Sequence, residues 1–183
     1  MSLCIVANWK LNGSREFNQR WALEFFKHFN GNNFSSVGIA PASLYIDHLK
    51  EILNDYGIKI GAQNIDFLET GARTGEISAS MIKDLGCEFS IIGHSERRIL
   101  FDETSQIIRK KLIQANKNSV TPILCIGESA EENQANNTFK VLEKQIIEAL
   151  QGIAELSSLI IAYEPVWAIG SGKIPEPEEI NSV

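Results

Sequence analysis

The chain has 183 residues, of which 44% are hydrophobic and 22% charged, a composition inside the range of folded globular domains that excludes disorder, collagen and coiled coil. Seventeen basic against twenty-three acidic residues leave a net charge of −6 with no basic run, so the electrostatic footprint of a nucleic-acid or anionic-lipid binder is missing. Any anionic ligand must therefore be held by local donors. Three widely spaced cysteines, Cys4, Cys87 and Cys125, show neither CxxC nor Cys/His ligand spacing, which argues against a disulfide framework or a zinc site. The opening apolar stretch is too short for a signal peptide or a membrane span, and the expected location is cytoplasmic.

Taken in chain order, six short apolar runs bounded by turn residues read as buried strands: LCIVANW from Leu3, VGIAP from Val37, IKIGAQN from Ile58, EFSIIGH from Glu88, VTPILCIGE from Val120 and LIIAYEP from Leu159. Segments of helical period lie between them, over Ser14 to Asn30, Ser43 to Tyr56, Ser78 to Leu85, Glu103 to Lys117 and Thr138 to Leu156, and a sixth begins in PEPEEINSV. The repeat of roughly 31 residues is that of a βαβ unit. Strands alternating with single helices predict a parallel sheet, either doubly wound or closed into a barrel. Eight such units would need about 250 residues, so this chain is expected to hold six.

Strands covered on both faces should be apolar throughout, so polar residues at their C-terminal ends are informative. Strand one ends in Asn8 and Lys10, on the parity of Cys4 and Val6, which sends both into one cleft. Strand four ends in His94, on the parity of Ile92, followed at once by Ser95, Glu96, Arg97 and Arg98. Strand six ends in Glu164, a carboxylate that is costly to place after four apolar residues without a task. Taken singly, Lys10 could reach solvent and His94 could merely start a helix. Their appearance at the same end of three strands points to an active site, because that end carries the sites of barrels and open α/β sheets. GHSER lacks the last glycine of a nucleophile elbow, and GSGK near Gly170 lacks a P-loop's glycine spacing and hydroxyl. The segment PVWAIGSGK has an apolar tip, Ala168 and Ile169, between a proline with an aromatic and two glycines. It reads as a lid whose closure buries that tip and excludes water.

The blocks ANWK (Ala7 to Lys10), GAQN (Gly61 to Asn64), TGE (Thr74 to Glu76), IIGHSERR (Ile91 to Arg98), CIGE (Cys125 to Glu128) and AYEPVWAIGSGK (Ala162 to Lys173) together resemble the triosephosphate isomerase family, in family order and spacing across the whole chain. The resemblance implies an α/β fold of the (β/α)8 TIM barrel family, as one domain over 1–183. About the first six βα units are expected here, with the C-terminal quarter lying beyond Val183. It implies an aldose-ketose isomerase, using no cofactor or metal, that interconverts dihydroxyacetone phosphate and D-glyceraldehyde 3-phosphate through an enediolate, in glycolysis and gluconeogenesis. A truncated barrel fragment of impaired or absent activity is the alternative.

By position, the resemblance makes Asn8 and Lys10 substrate-binding and catalytic, His94 the electrophile, Glu164 the general base and Glu96 a further catalytic-site residue, with Cys125 and Arg98 in support. The lid comprises Pro165, Val166, Trp167, Ala168, Ile169, Gly170, Ser171, Gly172 and Lys173, with Trp167 its anchor and Gly170 its phosphate contact. Thr74, Gly75 and Glu76 form a loop expected to enter a second copy in a homodimer. Ser171 stands where threonine is common in the family, and the far hinge reads KIPEP, where Pro175 would stiffen opening. The chemistry fits these residue types: moving a carbonyl to the neighbouring carbon needs a base at the intervening proton and donors where the enediolate charge develops. A paired-carboxylate glycosidase on Glu96 and Glu164 would leave Lys10 and the lid unused.

Overall fold

The structure is a computed structural model and describes residues 4–29, 36–53, 56–169 and 174–183. Six strands are present: β1 Cys4–Asn8, β2 Ser36–Ala40, β3 Lys59–Ala62, β4 Phe89–Ile92, β5 Thr121–Ile126 and β6 Ile160–Tyr163. The helices are α1 Arg15–His28, α2 Ile46–Leu53, α3 Ala79–Asp84, α4 Ser95–Leu100, α5 Ser105–Lys117, α6 Ala130–Gln134, α7 Thr138–Leu150 and α8 Pro177–Asn181. Every strand pairs in parallel with its sequence neighbour, in the order β1-β2-β3-β4-β5-β6. Each crossover thus steps the same way round, which excludes the doubly wound alternative, whose order reverses in the middle. The sheet is a curled part of a (β/α)8 barrel.

Strand alternation divides the apolar side chains into two layers. Ala40, Phe89, Ile91, Ile123 and Cys125, with Ala162, fill the concave side. Val37, Ile39, Ile60, Ala62, Ile92, Leu124 and Ile126 point outward and pack against Leu49, Ile82, Ile108, Leu112 and Leu142 of the helices. The Phe89 ring occupies space that inward side chains of two other strands would need. A β carbon at Gly38 would stand 2.8 Å from Phe89 Cε1, and one at Gly61 would collide with the ring. Glycine is required at both by this approach rather than by backbone conformation. Among the described residues the ladders stop at β1 and β6, and Ile5, Val6, Ile160 and Ile161 are exposed along them.

Helix boundaries follow local chemistry. The hydroxyls of Ser14, Ser78 and Thr104 accept the backbone N–H three residues on and start α1, α3 and α5. The expected helix from Ser43 divides into a 3₁₀ turn at Ser43–Tyr45 and then α2. The helix expected to reach Leu156 stops at Leu150, because Gly152 takes a φ of +76° and turns the chain away. Sequence periodicity also passed over α6, whose start is a reciprocal capping box between Ser129 and Glu132.

Candidate active site

The C-terminal ends of β1, β4 and β6 bring Lys10, His94, Glu96 and Glu164 together, although two of them arrive by a route that strand parity does not give. Lys10 has a φ of +51°, so alternation ends at Asn8; the Asn8 Oδ1 accepts the Lys10 N–H at 3.0 Å and holds that turn. The Lys10 ammonium then reaches Glu96 Oε1 at 2.7 Å. His94 follows Gly93, whose φ of +71° reverses the parity that would have sent the imidazole outward with Ile92. Both expectations of side-chain direction are therefore corrected in mechanism while the residues still meet.

His94 is 7% exposed and caps α4. Its Nδ1 accepts the Glu96 N–H at 3.2 Å, which leaves the ring proton on Nε2. That Nε2 lies 3.1 Å from Glu164 Oε1, while the Ser95 N–H donates to Glu164 Oε2 at 3.1 Å. Both oxygens of the Glu164 carboxylate are thus engaged at the start of α4. Glu96 has its carboxyl held below the usual carboxylate range, chiefly by the hydrogen bond from Lys10. Cys125 is buried beneath Glu164; burial first, then the Glu164 charge, push its thiol far above the ordinary value and keep it protonated.

Arg98 donates from Nε to Gly93 O at 2.8 Å and from Nη2 to Cys125 O at 3.0 Å, tying the end of β4 to that of β5. Beyond β6, Val166–Ala168 form a 3₁₀ turn. The Trp167 indole donates to Glu128 Oε1 at 2.8 Å, and the same oxygen accepts from Tyr163 Oη and Asn133 Nδ2, each at 3.0 Å. Ile169 is exposed and Ala168 partly so. Pro165 and Val166 are half-buried. Gly170, Ser171, Gly172 and Lys173 lie outside the described residues.

Thr74, Gly75 and Glu76 stand apart from this cluster, exposed on a loop whose base is organised by Asp66. The Asp66 carboxylate accepts from the Leu68 N–H at 2.8 Å and from Arg73 Nε at 2.7 Å. Among the described residues no group of three or more His, Cys, Asp and Glu side chains could hold a metal ion, and no helix is long and apolar enough to cross a membrane.

Sequence reasoning assigned no role to Gln63, Glu128 or Gln145. Gln63 donates from Nε2 to both Lys10 O and Ala40 O at 2.9 Å. Gln63 and Glu128 stand inside motif blocks, GAQN and CIGE, but nothing local distinguishes them; Gln145 stands in none. The partners of all three are fixed only by the fold.

The triosephosphate isomerase family profile matches residues 3–183. The chain is 40% identical over 181 residues to the triosephosphate isomerase of Nitrosococcus oceani, a match covering 98% of this chain and 72% of that protein. It is 44% identical to those of Escherichia coli O1:K1 / APEC and Shigella boydii serotype 18, over 98% of this chain and 71% of each. A match of this identity and extent, on a sheet of sequential parallel strands, means that the chain belongs to the triosephosphate isomerase family.

Proposed function

We propose that the chain interconverts dihydroxyacetone phosphate and D-glyceraldehyde 3-phosphate, the cytoplasmic step of glycolysis and gluconeogenesis that the family implies. The observation that carries this reading is the contact between Glu164 Oε1 and the proton-bearing Nε2 of His94 at 3.1 Å, with Lys10 and Asn8 at the same end of the sheet. Glu164 leaves the Ser95 N–H and takes the proton from the carbon beside the carbonyl. The C–H electron pair becomes the C=C bond of the enediolate, and the carbonyl oxygen gains the charge. The His94 Nε2–H, the Lys10 ammonium and the Asn8 side chain face that charge, and His94 moves the proton between the two oxygens. Glu164 returns its proton to the neighbouring carbon, so the reaction balances as an isomerisation.

In this reading Glu96 holds the Lys10 ammonium, Arg98 and Cys125 support the strand ends, and the lid from Pro165 to Lys173 covers the substrate with Gly170 at the phosphate. The loop Thr74, Gly75 and Glu76 enters a second copy; its exposure, and that of Leu11 and Leu44 at 98% and 85%, supports this assignment. A coupled assay on the purified chain tests the function: turnover in the parent should fall about 10²–10⁴-fold in Glu164→Gln. A parent without turnover would favour the inactive-fragment reading, and sedimentation velocity on the same preparation checks the dimer.

A further inference from the structure

The end of β5 meets the end of β6 at an unusually close approach. The ladder continues past both strands, with the Glu164 N–H donating to Ile126 O at 2.7 Å. One residue on, Gly127 lies against the Glu164 carbonyl so closely that a β carbon there would collide with the Glu164 oxygen, stand 2.9 Å from its carbonyl carbon and 3.2 Å from Val166 Cγ2. Gly127 has no left-handed φ, so its lack of a side chain serves this contact and not a turn. The backbone of the proposed base and the first residue of the lid turn therefore rest on one glycine.

That glycine is itself held on both sides. From α7, the Gln145 side chain accepts the Gly127 N–H at Oε1, 2.9 Å, and donates from Nε2 to Gly127 O at 2.8 Å. One amide thus satisfies both backbone groups of a residue that no strand partner reaches, fixing its peptide planes in position and in rotation.

We infer that Gln145 is a positioning residue for the isomerisation: by clamping Gly127 it sets the surface on which the Glu164 backbone sits, and hence where the carboxylate meets the substrate carbon. The inference rests on Glu164 being the base. Both side-chain hydrogen bonds of Gln145 go to Gly127, so its effect passes through the Gly127–Glu164 contact. The consequence belongs to the chemical step, because a displaced base loses proton transfer before it loses substrate affinity.

Gln145→Met keeps the length and volume of the side chain and removes both hydrogen bonds. The expected result is a kcat lower by about 10- to 100-fold with KM within about twofold. Gly127→Ala, which pushes on the same contact from the other side, should show the same split, and the exposed Lys144→Ala should change neither constant. A Gln145→Met enzyme with parental kcat, or one that changes only in KM, overturns the inference. So does a loss of kcat that the folded fraction, measured by circular dichroism, accounts for. The amide ¹H–¹⁵N resonances of Gly127, Glu164 and Val166 give a readout without turnover. Displacement of all three in Gln145→Met supports the clamp even if the parent proves inactive, and an unmoved Glu164 amide refutes it.

Discussion

Replacing Lys111 by methionine should destabilise the protein far more than the same replacement at Lys117, although each lysine pairs with a glutamate. Lys111 is 3% exposed; its ammonium donates to Glu103 Oε1 and to Asn64 Oδ1, the latter at 2.6 Å. Arg97 Nε donates to the same Glu103 oxygen. This group joins the end of β3, α4 and α5 beneath the segment that carries His94, Ser95 and Glu96. Breaking a buried pair costs about 3–5 kcal/mol because a charge is left without its partner. Arg97 stays with Glu103, so the low end, about 3 kcal/mol, applies. With an unfolding entropy of roughly 2.1 cal/mol/K per residue, a chain of this length loses about 8 °C in Tm. The Lys117–Glu69 pair is exposed on both sides and should cost under about 1 kcal/mol, or under about 3 °C. Differential scanning calorimetry on the two variants, on Glu103→Gln and on Lys111→Met/Glu103→Gln reads the difference. The double variant should lose less than the sum of its singles by at least about 1 kcal/mol. Equal shifts for Lys111→Met and Lys117→Met, or additive singles, would refute the reasoning.

Two further outcomes follow from the charged groups. Burial alone would raise Asp66, but the Leu68 N–H and the Arg73 guanidinium together hold its carboxyl below the usual range. Its folded value is depressed, so its stabilisation is complete above about pH 4 and is lost as pH falls through the folded value. The stability gap between the parent and Asp66→Asn, about 1–2 kcal/mol at neutral pH, should therefore close as pH falls below about 4 in urea titrations; a constant gap would contradict it. Lys10→Met should return Glu96 towards the ordinary carboxylate range, read by ¹³C titration of its side-chain carboxyl, and a Glu96 that does not move would show that Lys10 is not what holds it down.

Much of this architecture is legible in the sequence because burial on both faces leaves apolar runs that only a parallel sheet explains. All six runs contain a strand, and every helix-period segment contains a helix. What periodicity misjudges has local causes. Ile153 and Leu156 keep the helical rhythm going after Gly152 has ended the helix. The short α6 is announced by capping chemistry instead of by period. At the site, counting alternate residues works for Glu164, which shares its side of β6 with Ala162. It fails at Lys10 and His94, where positive φ at Lys10 and Gly93 breaks the alternation.

The residues that hold the site together were hidden for a different reason, which lies in how a curled parallel sheet ends. Where neighbouring strands diverge at their C-terminal ends the ladder hydrogen bonds run out, and buried carbonyls there must find other donors. Gln63 serves Lys10 O and adds a second donor to Ala40 O, which the Trp9 N–H already reaches at 3.0 Å; Arg98 serves Gly93 O and Cys125 O, and Gln145 serves Gly127 O while accepting its N–H. Three side chains therefore take over from the ladder where the candidate acid and base groups begin. Each of these partners is a main-chain atom, and a main-chain atom leaves no residue type in the sequence to mark it. Gln63 and Gln145 reach theirs across 53 and 18 residues. A glutamine in such a position looks like any other surface-prone amide until the fold shows which carbonyl it faces. The proposed base, electrophile and lysine can thus be named from residue type and strand position, whereas their spacing depends on amide and guanidinium groups whose work only the assembled strand ends disclose.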